Sequence, residues 1–155
     1  MDNLTRMIRL AHEFFETKND PSQLTITEEV MDQLRSIHSA TMGEFTYGEG
    51  PVAWTIVFPT TRPIRKAFMK GTIGETELLE QTLNETNFTS LYLCSALVLP
   101  EFRGKGLAKK LVCDSIRSIR KDHPIDELFV WSFSSGGKEL AKIVAATMAL
   151  PLFER

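Results

Sequence analysis

The segment from Leu91 to Lys121 constrains this chain most. An apolar run, Leu91 to Leu99, stops at Pro100. A short loop with glycines at 104 and 106 follows, and then Leu107, Leu111, Val112, Ile116 and Ile119 recur at helical spacing until Asp122-His123-Pro124. A buried strand therefore feeds a tight turn and an amphipathic helix in direct series. The strand has to join a sheet and the helix has to lie on its face, which commits the chain to a mixed α/β layer fold (α/β, or α+β).

The flanking segments agree. Met7, Ile8, Ala11, Phe14 and Phe15 mark one face of a helix over about 4–17, stopped by Asn19-Asp20-Pro21. Thr25 with Glu28 has capping-box spacing, and Val30, Met31, Leu34 and Ile37 predict a second helix to His38. Gly43, Gly48, Gly50 and Pro51 punctuate a turn region, with a short strand at 44–47 and a buried strand at 52–58. Pro63 opens a helical stretch that Gly71 and Gly74 divide in two before Leu83. Leu128 to Phe133 predicts a strand, Ser134-Ser135-Gly136-Gly137 a turn, and Leu140, Ile143, Val144 and Met148 a last helix closed by Pro151. One domain over 1–155 is expected at this length. The residues after Met148 offer only a short edge strand, and an unpaired edge invites a second copy of the chain as a homodimer partner.

Composition removes several classes. The 155 residues are 43% apolar and 25% charged, ordinary for a soluble globular protein and wrong for a disordered one. A net charge of −2 excludes an overall basic footprint for nucleic acid. No apolar stretch approaches the roughly 20 residues of a membrane span. Charge runs through the first eighteen residues, unlike a signal peptide. Two cysteines, Cys94 and Cys113, are too few for a disulfide framework, so a reduced, cytoplasmic chain is expected. No metal site is expected: His12-Glu13 with Glu16 lacks the second histidine of a zinc-protease string.

Charge is nevertheless concentrated. From Arg103 to Lys121 stand Arg103, Lys105, Lys109, Lys110, Arg117, Arg120 and Lys121 against the single acid Asp114, a local +6, leaving −8 elsewhere. Glycines 104 and 106 permit turn conformations closed to other residues. The first helical turn leaves N–H groups unpaired at the positive end of the helix dipole. Together these predict a cradle for a phosphate or pyrophosphate. No Walker loop is present, and Gly104-x-Gly106 lacks the third glycine of a dinucleotide fingerprint, since Lys109 stands there.

The string Arg103-x-x-Gly106-x-Ala108, placed after Leu97-Val98-Leu99-Pro100-Glu101-Phe102, resembles the acyl-CoA loop of the GNAT N-acetyltransferase superfamily. The resemblance covers about 60 residues, from Ser90 to roughly Ala149. It implies a mixed central sheet flanked by helices, with a shortened C-terminus, and acetyl-CoA as cosubstrate. By the resemblance, the backbone of Ala96, Leu97 and Val98 pairs with the pantetheine arm. Arg103 and the N–H groups of Gly104, Lys105, Gly106, Leu107, Ala108 and Lys109 hold the pyrophosphate. The strand beginning at Leu128 splays from the Leu91 strand to open a slot, and the last helix covers its far side. The implied reaction is direct acetyl transfer to an amine of a small molecule or protein. The alternative is a non-catalytic acyl-CoA sensor of the same fold.

Many members of that superfamily carry an asparagine and a tyrosine in the last helix. Here Ser135 or Gly136 and Ile143 stand at those places, so the usual thiolate acid has no counterpart. Tyr92 sits where some members place a base, and strand alternation puts it with Cys94, Ala96 and Val98 on one face. Tyr92 is thus one catalytic candidate, against a core aromatic. Ser135 is the other, against a turn serine. Cys94 is expected to be a small buried hydrophobe rather than a nucleophile. Glu44 is expected to be solvated, as is the acidic run Glu75, Glu77, Glu80 and Glu85 on a helix face. Trp54 and Trp131 are expected in the core.

Overall fold

A computed structural model describes residues 1–16, 23–132 and 134–155, without the side chains of Phe15 and Glu16. The expected stop at Asn19-Asp20-Pro21 and the strand end at Phe133 lie outside the described residues. The elements are α1 (Asn3–Glu16), α2 (Glu28–Ile37), β1 (Met42–Tyr47), β2 (Gly50–Thr60), α3 (Arg62–Met69), α4 (Glu75–Thr82), β3 (Ser90–Val98), α5 (Leu107–Arg120), β4 (Glu127–Val130), α6 (Ser135–Met148) and β5 (Leu152–Glu154). A 3-10 turn, Pro100–Phe102, joins β3 to the glycine loop.

The fold is a mixed α/β layer structure whose five strands lie in the order β1-β2-β3-β4-β5. β1, β2 and β3 pair antiparallel, whereas β3, β4 and β5 pair parallel. Parallel neighbours need a crossover, and α5 and α6 supply the two. Local sequence sets most ends. Thr27, not Thr25, caps α2, its side chain accepting the Val30 N–H at 3.2 Å. Thr61 caps α3 with Pro63 in its first turn, Gly71 takes φ +77° after it, and Gly74 caps α4, which makes the two-piece break.

Two apolar layers sandwich the sheet. One face packs Phe58, Tyr92 and Phe129 against Leu34 of α2, Phe68 of α3 and Leu78 and Leu79 of α4. Tyr92 stacks on Phe129 with ring centroids 4.9 Å apart and meets Phe58 and Phe68 edge-on. On the same side, Met7 of α1 packs with Val52 and Leu97. The opposite face packs Val57, Leu91 and Leu128 against Val112, Ile116 and Ile119 of α5 and Val144 of α6.

At the foot of β4 the buried Glu127 takes Arg62 Nε at 2.9 Å, Arg65 Nε at 2.5 Å and Ser90 Oγ at 3.1 Å. Its carboxylate thereby ties α3, β3 and β4 together. Arg65 is itself buried. Replacing Glu127 with alanine strands that cation, and the loss of a buried partner costs about 3–5 kcal/mol. Urea unfolding of Glu127→Ala should show a loss of that order, and a loss below about 1 kcal/mol would mean that solvent screens the network.

Candidate functional site

β3 and β4 pair over four positions, from Ser90 opposite Glu127 to Leu93 opposite Val130, and then diverge. Beyond Leu93 the β4-side edge of β3, from Cys94 to Val98, has no strand neighbour among the described residues. The fork coincides with a bulge. Ile56 pairs with Ser95 and Val57 with Leu93, which leaves Cys94 as the extra residue. β4 is also shorter than the expected Leu128–Phe133 strand, since Trp131 and Ser132 are already out of it.

The fork opens into a slot of about 800 Å³. Cys94 to Val98 form one wall, Val130 to Ser132 and the start of α6 at Ser134, Gly136 and Gly137 the other. Leu10, Phe14 and Gln23 line it from the α1 side, Arg103 and Ala108 from the glycine loop. The Oγ of Ser132 is buried in this wall and has no hydrogen-bond partner among the described residues.

The glycine loop sits beside the slot. Gly104 and Gly106 both take φ +77°, and a Cβ at either position would meet nothing within 4 Å. Glycine is therefore needed for backbone conformation, and the space in front of the loop is open. The first backbone bond of α5 runs from the Lys110 N–H to the Gly106 carbonyl. None of the N–H groups from Gly104 through Lys109 donates to an acceptor among the described residues. Arg103 Nε donates to the Val98 carbonyl at 3.0 Å, fastening the loop to the end of β3. The Lys105 ammonium lies 5.4 Å from the Phe102 ring centroid.

Of the expected cradle residues, Ala96, Leu97, Val98, Arg103 and Ala108 line the slot, Lys105 and Leu107 line a second hollow with Phe45, Tyr47, Glu101 and Phe102, and Gly104, Gly106 and Lys109 line neither. The catalytic candidates fall elsewhere. Tyr92 is fully buried among aromatic rings and does not line the slot. Its hydroxyl donates to Glu75 Oε2 at 2.5 Å. Burial, and then the charge of Glu75, push its phenol well above the ordinary tyrosine value, so it stays a donor. Ser135 is the exposed first residue of α6, and the slot is lined by its neighbour Ser134, whose Oγ caps the helix by accepting the Gly137 N–H at 3.0 Å. The bulge also overturns the single face drawn from strand alternation. Tyr92 and Cys94 lie on the α1–α4 side, whereas Ala96 pairs with Thr55 and Val98 with Ala53 on the α5 side.

Three further expectations change. Glu75 is not on a solvated face: it is 1% exposed, its Oε1 taking the Leu24 N–H at 3.1 Å and its Oε2 the Cys94 thiol at 3.7 Å. Trp131 is half-buried in the slot wall rather than in the core. Trp54 is half-buried too, and donates Nε1 to the exposed Glu44 at 2.7 Å. Among the described residues no group of three His, Cys, Asp or Glu stands where it could hold a metal ion, and no helix is long and apolar enough to cross a membrane.

No family profile matches the chain. No curated protein sequence matches it either. Among solved structures it is similar to the crystal structure of a ribosomal-protein-alanine N-acetyltransferase from Brucella melitensis biovar Abortus 2308. The identity is 16% over 88% of this chain and 84% of that one, with a TM-score of 0.44.

Two outcomes follow from the loop and its brace. Gly104→Ala and Gly106→Ala should each cost about 1–2 kcal/mol through the left-handed conformation alone, because no neighbour crowds the new methyl group. Denaturation midpoints identical to the wild type would refute the positive φ. The second concerns the turn before the loop, where Arg6 of α1 grips Glu101 through two bonds at 2.5 and 2.7 Å. That hydrogen bond holds the Glu101 carboxyl down at about 2, from an ordinary 4.5. A depressed carboxyl contributes stability that is present above its ordinary value and lost as pH falls through the folded one. The stability gap between wild type and Glu101→Gln should accordingly close between pH 4.5 and about 2, and a gap constant across that window would show the pair to be idle.

Proposed function

We propose that this protein is an N-acetyltransferase that moves the acetyl group of acetyl-CoA directly to an amine of a small molecule or protein. One observation carries the reading. A row of unpaired backbone N–H groups, Gly104 to Lys109, stands at the positive end of α5, and the free edge of β3 leads from there into a slot. Unpaired amides at a helix start suit a pyrophosphate, with Arg103, Lys105 and Lys109 adding charge. A strand edge without a neighbour suits an extended amide-bearing chain, which adds to the sheet as a further strand would. The pantetheine arm is such a chain, and Ala96, Leu97 and Val98 supply the edge. Ser132 Oγ, buried in the opposite wall, lacks a partner that an amide of the arm would provide.

The coenzyme brings the acetyl thioester. The chain's own residues bind it and orient it. A backbone N–H near Val98 is the donor for the thioester oxygen. Holding the two reactants in line is worth about 7–11 kcal/mol, so transfer does not require a protein acid at the leaving sulfur. An alkyl amine has an ordinary pKa of about 10.4 and must shed a proton before it attacks. Tyr92 acts here through Glu75, as a positioning residue.

A second reading, an acyl-CoA sensor without turnover, is favoured by the make-up of the slot. Among the described lining residues there is no Asp, Glu, His or Tyr. Liberation of free CoA thiol in the presence of an amine panel separates the two, because a sensor releases none.

Melting the protein in parallel with acetyl-CoA, CoA and ATP tests the binding claim. Acetyl-CoA at about a hundredfold over its dissociation constant should stabilise by roughly 2.7 kcal/mol. ATP should do little, and Lys105→Glu with Lys109→Glu should weaken the acetyl-CoA response. An unchanged melting curve with acetyl-CoA removes both readings.

A further inference from the structure

We propose that the fork end of the slot is a subsite for a primary amine with an apolar body, and that Gln23 selects it. This deepens the acetyltransferase reading and rests on it for the direction from which the acetyl group arrives.

Gln23 is 8% exposed, lines the slot, and its Oε1 has no hydrogen-bond partner among the described residues. A buried amide oxygen without a donor is costly to leave unmade. It persists most economically where a ligand N–H completes it. Gln23 is also held in place. Glu75 Oε1 takes the N–H of its neighbour Leu24 at 3.1 Å, and Thr76 Oγ1 donates to the Gln23 carbonyl at 3.5 Å. The first two residues of α4 thus fasten the peptide unit that follows this side chain.

The same carboxylate reaches the fork. Glu75 Oε2 receives the thiol of Cys94, the bulge residue at which β3 leaves β4. Gln23 and Cys94 both line the slot, and Glu75 ties the backbone next to Gln23 to the fork. On the proposed path the pantetheine arm runs down the β3 edge from the glycine loop, so its acyl end arrives at this point. Leu10, Phe14 and Trp131 complete the surroundings with apolar surface. Arg155 does not line the slot: its guanidinium lies 4.0 Å from the Trp131 ring centroid and 4.6 Å from that of Phe68, and it donates to the Ile73 carbonyl at 3.1 Å. An unpaired amide oxygen welcomes an N–H donor and offers nothing to an anion, and the one charged side chain among the described lining residues, Arg103, belongs to the glycine-loop end, where it donates to the Val98 carbonyl. The apolar walls exclude a heavily hydrated body.

Binding of two probes that share a phenylethyl body tests this on the full chain, with CoA present: 2-phenylethylamine and 3-phenylpropanoate. The amine should bind at least about tenfold more tightly than the carboxylate. Gln23→Met keeps the side-chain volume and removes the oxygen. It should lose about tenfold in amine affinity while its acetyl-CoA melting shift stays that of the wild type. Equal affinity for the two probes, or an unchanged amine affinity in a folded Gln23→Met, overturns the subsite while leaving acetyl-CoA binding standing. Should Gln23→Met not fold, the wild-type comparison of amine and carboxylate decides by itself. Should acetyl-CoA leave the wild type unshifted while amine selectivity persists, the coenzyme reading falls and the amine subsite survives.

Discussion

The rest of the structure depends on the parting of β3 from β4 after four paired positions. Up to Leu93 the two strands are bound by parallel pairing, by the Tyr92–Phe129 stack and by the Glu127 carboxylate with its two arginines and serine. Beyond it the Cys94 bulge twists β3 away, and the chain after Val130 departs toward α6. A tightly fastened base and an abrupt fork are complementary demands. The base must be rigid for the opening to keep its shape, and backbone groups left bare inside a sheet must find other partners. The slot is where such partners would come from.

The glycine loop answers to the same fork. Arg103 fastens it to the carbonyl of Val98, the last residue of β3, so the glycine loop and the strand edge are set at a fixed separation. The Arg6–Glu101 pair braces the intervening turn from α1, which also contributes Leu10 and Phe14 to the slot. One helix thereby steadies the turn before the glycine loop and walls the cavity. Glu75 plays the equivalent part at the fork, joining the segment after α1 to the bulge through Leu24 and Cys94.

Legibility in the sequence followed the range of the interactions involved. The Leu91–Lys121 unit was legible because strand, proline, glycine turn and helix are decided by neighbours in the chain. The helices α3 and α4 and their break were legible for the same reason, in Pro63, Gly71 and Gly74. The misplaced details are non-local. Whether Thr25 or Thr27 caps α2 depends on where the preceding segment is held by Glu75. Strand alternation on β3 fails at Cys94 because a bulge is a property of two strands. Ser135 lies in α6 because Ser134 caps the helix, which takes in the Ser135-Gly136-Gly137 stretch that the sequence marks as a turn.

The sequence by itself determined the layer class, the basic helix and the bare amides in front of it, since glycine dihedrals, unpaired first-turn N–H groups and charge density are local and additive along the chain. Only the tertiary structure decided which carboxylate is buried and which aromatic rings wall the slot. Glu75 looks like one member of an acidic run until α4, Leu24, Tyr92 and Cys94 converge on it. Trp131 and Gln23 gain their places in the slot wall only when β3 and β4 part. Burial is a many-body property of folded packing, and no spacing of residues along a chain encodes it alone.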